Sequence, residues 1–126
     1  MRTPPRILVV DDNPANVDIL RARLEAQGYD IKTAIDGEEA LSAVKAYQPD
    51  LILLDVMMPL RNGYEVCQKI RENRAWDRVK IVMLSAKGRD LEMSKGLALG
   101  ADAYVTKPFS TKQLMVQVQD LLAGSA

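Results

Sequence analysis

Leu51-Ile52-Leu53-Leu54-Asp55-Val56-Met57-Met58-Pro59 is the stretch on which the reading of the chain turns. Four apolar residues in a row run into one carboxylate, and a proline follows soon after. So short a continuous apolar run predicts a strand buried on both faces, as in a parallel sheet covered by helices. Asp55 then stands where the chain leaves the sheet, the edge at which open α/β sheets bind ligands.

The flanking sequence supplies the rest of such a sheet. Arg6–Val10 is an apolar run that ends in Asp11-Asp12, and Asn13-Pro14 follows as a helix start, with Asn as cap and Pro in the first turn. Val17, Leu20 and Leu24 recur at helical spacing, and Gly28 closes that helix. Asp30–Ala34 is shorter and more polar, as an edge strand would be, and offers Thr33 near its end. Asp36 and Glu39 form a capping box for a second helix, whose inward face carries Ala40, Val44 and Tyr47 until Pro49-Asp50 breaks it. Beyond Pro59, Arg61-Asn62-Gly63 signals a turn, and a helix over Gly63–Glu72 turns Val66, Cys67 and Ile70 inward. Asn73 to Val79 reads as a polar loop that holds Trp76, and Lys80–Ser85 as another buried strand. A fourth helix over Asp90–Leu99 is weakened by Gly96 in its interior. Ala103–Thr106 is the last strand, and Ser110 with Gln113 caps a final helix that carries Leu114, Val118 and Leu121 inward. Strands alternating with helices throughout predict βαβ units and a parallel sheet with helices on both faces.

The composition narrows the function. The chain has 126 residues, 48% of them apolar, which is enough for one domain with a core of its own. Lys plus Arg and Asp plus Glu both number 17, so the basic excess of a nucleic-acid binder is missing. No apolar run approaches the ~20 residues of a membrane-spanning helix, and no signal peptide opens the chain. The lone cysteine, Cys67, forbids an internal disulfide and fits a reducing cytosol. Histidine is absent, which removes Ser-His-Asp and Cys-His catalysis and His-based zinc sites. Any phosphohistidine in its chemistry belongs to another protein.

In a parallel sheet the strand ends share one rim. Asp11 and Asp12, Asp55, Ser85 and Lys107 are therefore predicted to converge. Singly, each has an ordinary reading: Asp11-Asp12 a turn and helix start, Ser85 a loop hydroxyl, Lys107 a solvated amine. Together they put three carboxylates, a hydroxyl and an amine at one edge. Clustered carboxylates either share protons or bind a cation. With oxygen ligands alone and few of them, that cation is expected to be Mg²⁺ with retained waters. Asp55 is then placed as a nucleophile toward phosphorus. The metal, the Ser85 hydroxyl and the Lys107 ammonium would hold the phosphoryl oxygens, since this reaction needs positioning and charge stabilisation above all.

These residues resemble a known family. Asp11-Asp12 after Ile7-Leu8-Val9-Val10, Asp55 in Leu53-Leu54-Asp55-Val56-Met57-Met58-Pro59, Ser85-Ala86 and Lys107-Pro108-Phe109 are similar to the receiver domains of bacterial two-component response regulators. The likeness runs from about Arg6 to Leu122. It implies a flavodoxin-like (βα)5 doubly wound fold, a five-stranded parallel sheet in the order 2-1-3-4-5, and one receiver domain over residues 1–126 with its core at about 6–122 and no output domain. It implies that Asp55 accepts a phosphoryl group from a histidine kinase or a histidine phosphotransfer protein. Mg²⁺ would be held by Asp12, Asp55 and the backbone carbonyl of Met57, with Asp11 acting mainly through water. Ser85 and Tyr104 would form the switch, although Tyr104 alone reads as a half-buried strand aromatic. The Lys107-Pro108 bond would be cis. The fourth helix, fifth strand and final helix would form the face for a downstream effector, and the family also allows a homodimer on phosphorylation. The protein would be cytoplasmic, bind neither nucleic acid nor membrane, and turn over no external substrate.

Two departures matter. Met57 and Lys87 stand two residues after Asp55 and Ser85, where the family's hydrolytic water passes. Met57 has no group to orient water, so a long-lived acyl phosphate is expected. Two rivals are weaker. A haloacid-dehalogenase-like phosphatase needs an acid two residues after its nucleophile, and Asn13 stands there. A flavodoxin-type flavin site needs a first loop that cradles phosphate, and Asp11-Asp12 would repel it. Met1 lies almost at the first strand, and Ala123-Gly124-Ser125-Ala126 falls just past the last helix. Both a stand-alone receiver and the front piece of a longer regulator, such as a diguanylate cyclase, fit that frame.

Overall fold

Side-chain alternation organises the molecule. In the computed structural model, which describes residues 4–56, 63–86, 100–107 and 110–123, the apolar runs pair as a five-stranded sheet. The elements are β1 (Arg6–Val10), α1 (Pro14–Ala26), β2 (Asp30–Ala34), α2 (Gly37–Tyr47), β3 (Leu51–Asp55), α3 (Gly63–Glu72), a 3-10 turn (Arg74–Trp76), β4 (Lys80–Ala86), β5 (Ala103–Lys107) and α4 (Thr111–Ala123). The strand order is β2-β1-β3-β4-β5, and every neighbouring pair is parallel. This is the flavodoxin-like order that the family resemblance implies.

Successive strand residues face opposite layers. Leu8 and Val10, Ile52 and Leu54, and Ile81 and Met83 pack with α2 and α3 on one face. Ile7 and Val9, Leu51 and Leu53, and Val82 and Leu84 pack with α1 and α4 on the other. β3 is buried at all of its positions, which is why it reads as an unbroken apolar run. β2 lies at one edge, where its alternation of exposed and covered residues is visible.

Helix ends form where their chemistry predicts. Asn13 Oδ1 accepts from Ala15 N at 3.0 Å, and Pro14 fills the first turn. Asp36 Oδ1 accepts from Glu39 N at 2.8 Å, and Ser110 Oγ accepts from Gln113 N at 3.3 Å. Several details differ from the sequence reading. α2 is closed by Gln48 in the left-handed region, at φ 56°, before Pro49 is reached. The 73–79 loop contains the 3-10 turn, with Asn73 accepting from Ala75 N at 3.0 Å. β4 and β5 each run one residue further, because Ala86 still pairs with Lys107. In α4, Leu122 is buried in register with Leu114 and Val118, while Leu121 is only partly covered. The expected helix over Asp90–Leu99, together with Met57, Lys87, Pro108 and Phe109, lies outside the described residues. Among the described residues, no helix is long and apolar enough to cross a membrane.

Candidate functional site

Register brings the acids together. Val10 aligns with Leu54 across the β1–β3 pair, so Asp11 and Asp55, each one residue further, leave the sheet side by side. This is where the strand order reverses, the position at which open α/β sheets form a crevice. Oxygens of Asp11, Asp12 and Asp55 all lie within 4.8 Å of one another. Asp11 is 1% exposed and Asp55 6%, whereas Asp12 faces solvent.

The cluster is held by its surroundings. The Asp11 amide donates to Ala34 O at 3.1 Å, which continues the pairing with β2. Asp11 Oδ1 accepts from Asn13 N at 2.9 Å, and Oδ2 from Asn16 Nδ2 at 3.5 Å. The residue that caps α1 thus also fixes the buried carboxylate. Beside Asp55, Val56 N donates to Leu84 O at 3.0 Å and Gly63 N to Val56 O at 2.9 Å. A Cβ on Gly63 would stand 2.7 Å from Asp55 O and 2.8 Å from the Val56 Cα. Only glycine lets the start of α3 pack this closely against the end of β3.

The donor set suits a small hard cation. Two oxygens on one Mg²⁺, at about 2.1 Å each, are separated by at most roughly 4.2 Å. Carboxylate oxygens within 4.8 Å of one another are therefore close to that arrangement already. Carboxylates this near repel one another, and a bound cation offsets that repulsion.

The remaining predicted site residues sit at the same rim as far as the backbone describes them. Ser85 is one residue beyond the Asp55–Leu84 pair, and Lys107 pairs with Ala86. Their side chains, and all of Met57, lie outside the described residues. Tyr104 is opposite Met83 on β5. Its ring is partly buried against the core under α2 and α3, and its hydroxyl lies 3.2 Å from that of Tyr64. Asn16, Gly63 and Tyr64 also belong to this neighbourhood, and the sequence pattern does not mark them as site residues. Gly63 stood in a visible turn signal, while nothing in the local pattern marks Tyr64 as other than a core aromatic.

Residues 7–119 match the family model of the response regulator receiver domain. The chain belongs to that family. This receiver domain is 46% identical over 120 residues to the alkaline phosphatase synthesis transcriptional regulatory protein PhoP of Bacillus subtilis, covering 95% of the chain and 49% of that protein. It superimposes on the Francisella response regulator 1452 receiver domain with a TM-score of 0.90 at 31% identity, covering 97% of this chain and 99% of that one. Against the chemotaxis response regulator CheY4 of Vibrio cholerae the TM-score is 0.88 at 30% identity, with 94% and 99% covered. The receiver domain spans about half the length of the curated relatives it matches, 49% and 52%. It is a receiver domain of two-component response regulators, a signalling family, and the phosphatase and flavin readings find no support.

Proposed function

We propose that this receiver is a phosphoacceptor switch whose nucleophile is Asp55. The observation that carries the reading is the cluster of Asp11, Asp12 and Asp55 at the point where the strand order reverses. A carboxylate oxygen of Asp55 attacks the phosphorus of a phosphohistidine on a histidine kinase or phosphotransfer protein. The P–N bond breaks, its electron pair returns to the imidazole, and an aspartyl phosphate forms. Asp12, Asp55 and the Met57 carbonyl would hold Mg²⁺, with Asp11 acting through water. When bound, Mg²⁺ supplies positive charge to offset the carboxylates and the incoming phosphoryl oxygens. Asn13 and Asn16 keep Asp11 aimed into the cluster. Gly63 keeps the end of β3 accessible to close packing by α3. Lys107 and Ser85 complete the clamp on the phosphoryl oxygens, and Ser85 with Tyr104 carries the change outward.

A groove of about 420 Å³ between β5 and α4, lined in part by Tyr104, Thr106, Ser110, Gln113 and Gln117, supports this side of the molecule as the effector face. Residues 1–126 act as one receiver unit in the cytoplasm, with no turnover of an external substrate. A second reading, the receiver module of a longer regulator, is favoured by the half-length coverage of the curated relatives. Treating the protein with phosphoramidate and Mg²⁺, trapping with borohydride and mapping the peptides tests the site. Reduction at position 55 is expected; a trapped residue elsewhere would overturn the assignment.

A further inference from the structure

Tyr64 is the second residue of α3 and is only 7% exposed. The residue before it, Gly63, is wedged against the backbone of Asp55 and Val56. Its hydroxyl lies 3.2 Å from that of Tyr104, forty positions away on β5, and either oxygen can donate. Both rings pack on the same core layer, yet the Tyr104 ring is only partly covered. A half-covered aromatic with a polar tip can rest against the core or extend into water. A hydrogen bond from a buried, well-packed partner is enough to bias that balance, since each such bond shifts an equilibrium by about 2- to 10-fold.

We propose that Tyr64 is a positioning residue that holds the Tyr104 ring in its half-buried place and ties that ring to the Asp55 end of β3. The tie is physical: Tyr64 cannot move independently of Gly63, and a Cβ added to Gly63 would stand 2.7 Å from Asp55 O. A change at the end of β3 that displaces the start of α3 moves the Tyr64 hydroxyl, and the Tyr104 hydroxyl loses or keeps its partner accordingly. The consequence for signalling rests on Asp55 being the phosphoacceptor, while the positioning of the ring does not.

The protein carries four tyrosines, so fluorotyrosine labelling gives a short fluorine spectrum that single Tyr→Phe variants assign. The readout is the solvent-isotope shift of Tyr104 on exchange from H₂O to D₂O. In Tyr64→Phe, which keeps the ring and removes the hydroxyl, Tyr104 is expected to become more solvent-exposed, by a population change of about 2- to 10-fold. In Tyr104→Phe the Tyr64 resonance is expected to move, and in both variants Tyr29 stays unchanged. An unaltered Tyr104 shift and isotope effect in Tyr64→Phe overturns the proposal. A second arm adds acetyl phosphate and Mg²⁺, with the adduct counted by intact mass. Phosphorylation is expected to displace the Tyr104 resonance by different amounts in wild type and Tyr64→Phe; equal displacement overturns the tie. If no adduct forms, the phosphoacceptor reading fails and the tie with it, while the first arm still decides the positioning.

Discussion

The two rims of the sheet differ in whether their carboxylates stand apart or crowd together. At the rim where strands begin, Asp50 and Asp102 are matched to donors. Asp50 Oδ2 accepts from Arg6 N at 2.8 Å, and the Asp50 amide donates back to Arg6 O at 2.7 Å. Asp102 Oδ2 accepts from Ile81 N and from Arg71 Nη2, both at 2.8 Å. Arg71 also donates from Nε to Gly100 O at 2.9 Å and from Nη2 to Val79 O at 2.8 Å, so one guanidinium joins α3, β4 and the approach to β5. Gly100 lies at φ +107°, and a Cβ there would stand 2.7 Å from Arg71 Cγ. At the rim where strands end, three carboxylates crowd within 4.8 Å. An acid beside donors anchors a fold, whereas acids gathered together make the fold hold a repulsion that a ligand can relieve.

The contrast predicts stability effects of opposite sign at the two rims. The largest is expected for Arg71→Leu, which strips the cation from a carboxylate that is 28% exposed and leaves carbonyls of Gly100 and Val79 without this donor. A loss of about 2 to 4 kcal/mol is expected in urea denaturation. The remaining folded protein should still react at Asp55, because the clasp lies at the far rim. Gly63→Ala comes next, with about 1 to 3 kcal/mol lost to the clash with Asp55 O. Unlike the first variant, it should also slow phosphorylation in a mass-based time course. Asp11→Asn should do the reverse of Arg71→Leu. Without Mg²⁺ it is expected to raise the unfolding free energy by about 1 kcal/mol through relief of repulsion. Titration with Mg²⁺ should then stabilise the variant less than the wild type. A destabilised Asp11→Asn protein in metal-free buffer would erase the distinction between the rims.

The smallest effect comes from the core beside the clasp, and it is nil at neutral pH. Burial pushes the Cys67 thiol up to about 11, with Arg71 opposing and Asp102 adding to the rise. The native protein therefore keeps this thiol protonated where the unfolded chain would ionise it. Stability from this source is complete below the ordinary thiol range and is lost as pH rises through about 11. Denaturation midpoints measured from neutral to strongly alkaline pH should fall more steeply in wild type than in Cys67→Ala. Equal slopes would show that the thiol does not contribute.

Much of this was legible in the sequence because it depends on local pattern. Leu51–Asp55 declares a strand buried on both faces, and parallel strands put the acids after β1 and β3 on one rim, while the adjacency of those two strands followed from the family resemblance and not from local pattern. Asn13 and Asp36 cap helices by chemistry confined to a few residues. Nothing local marks Arg71 and Asp102 as partners, since no short-range pattern shows that a long side chain crosses to a carboxylate 31 positions away. The Tyr64–Tyr104 contact was hidden for the same reason. Leu121 and Leu122 both suit an inward helical position, and only the pitch of α4 against the sheet decides for Leu122.

Intact mass after incubation with acetyl phosphate, with and without Mg²⁺, tests the central claim most directly. The account predicts a single phosphoryl adduct that forms in wild type with Mg²⁺, fails to form without it, and is missing in Asp55→Asn. An adduct that persists in Asp55→Asn, or that forms equally well without the metal, would contradict the assignment of Asp55 and its acidic neighbours.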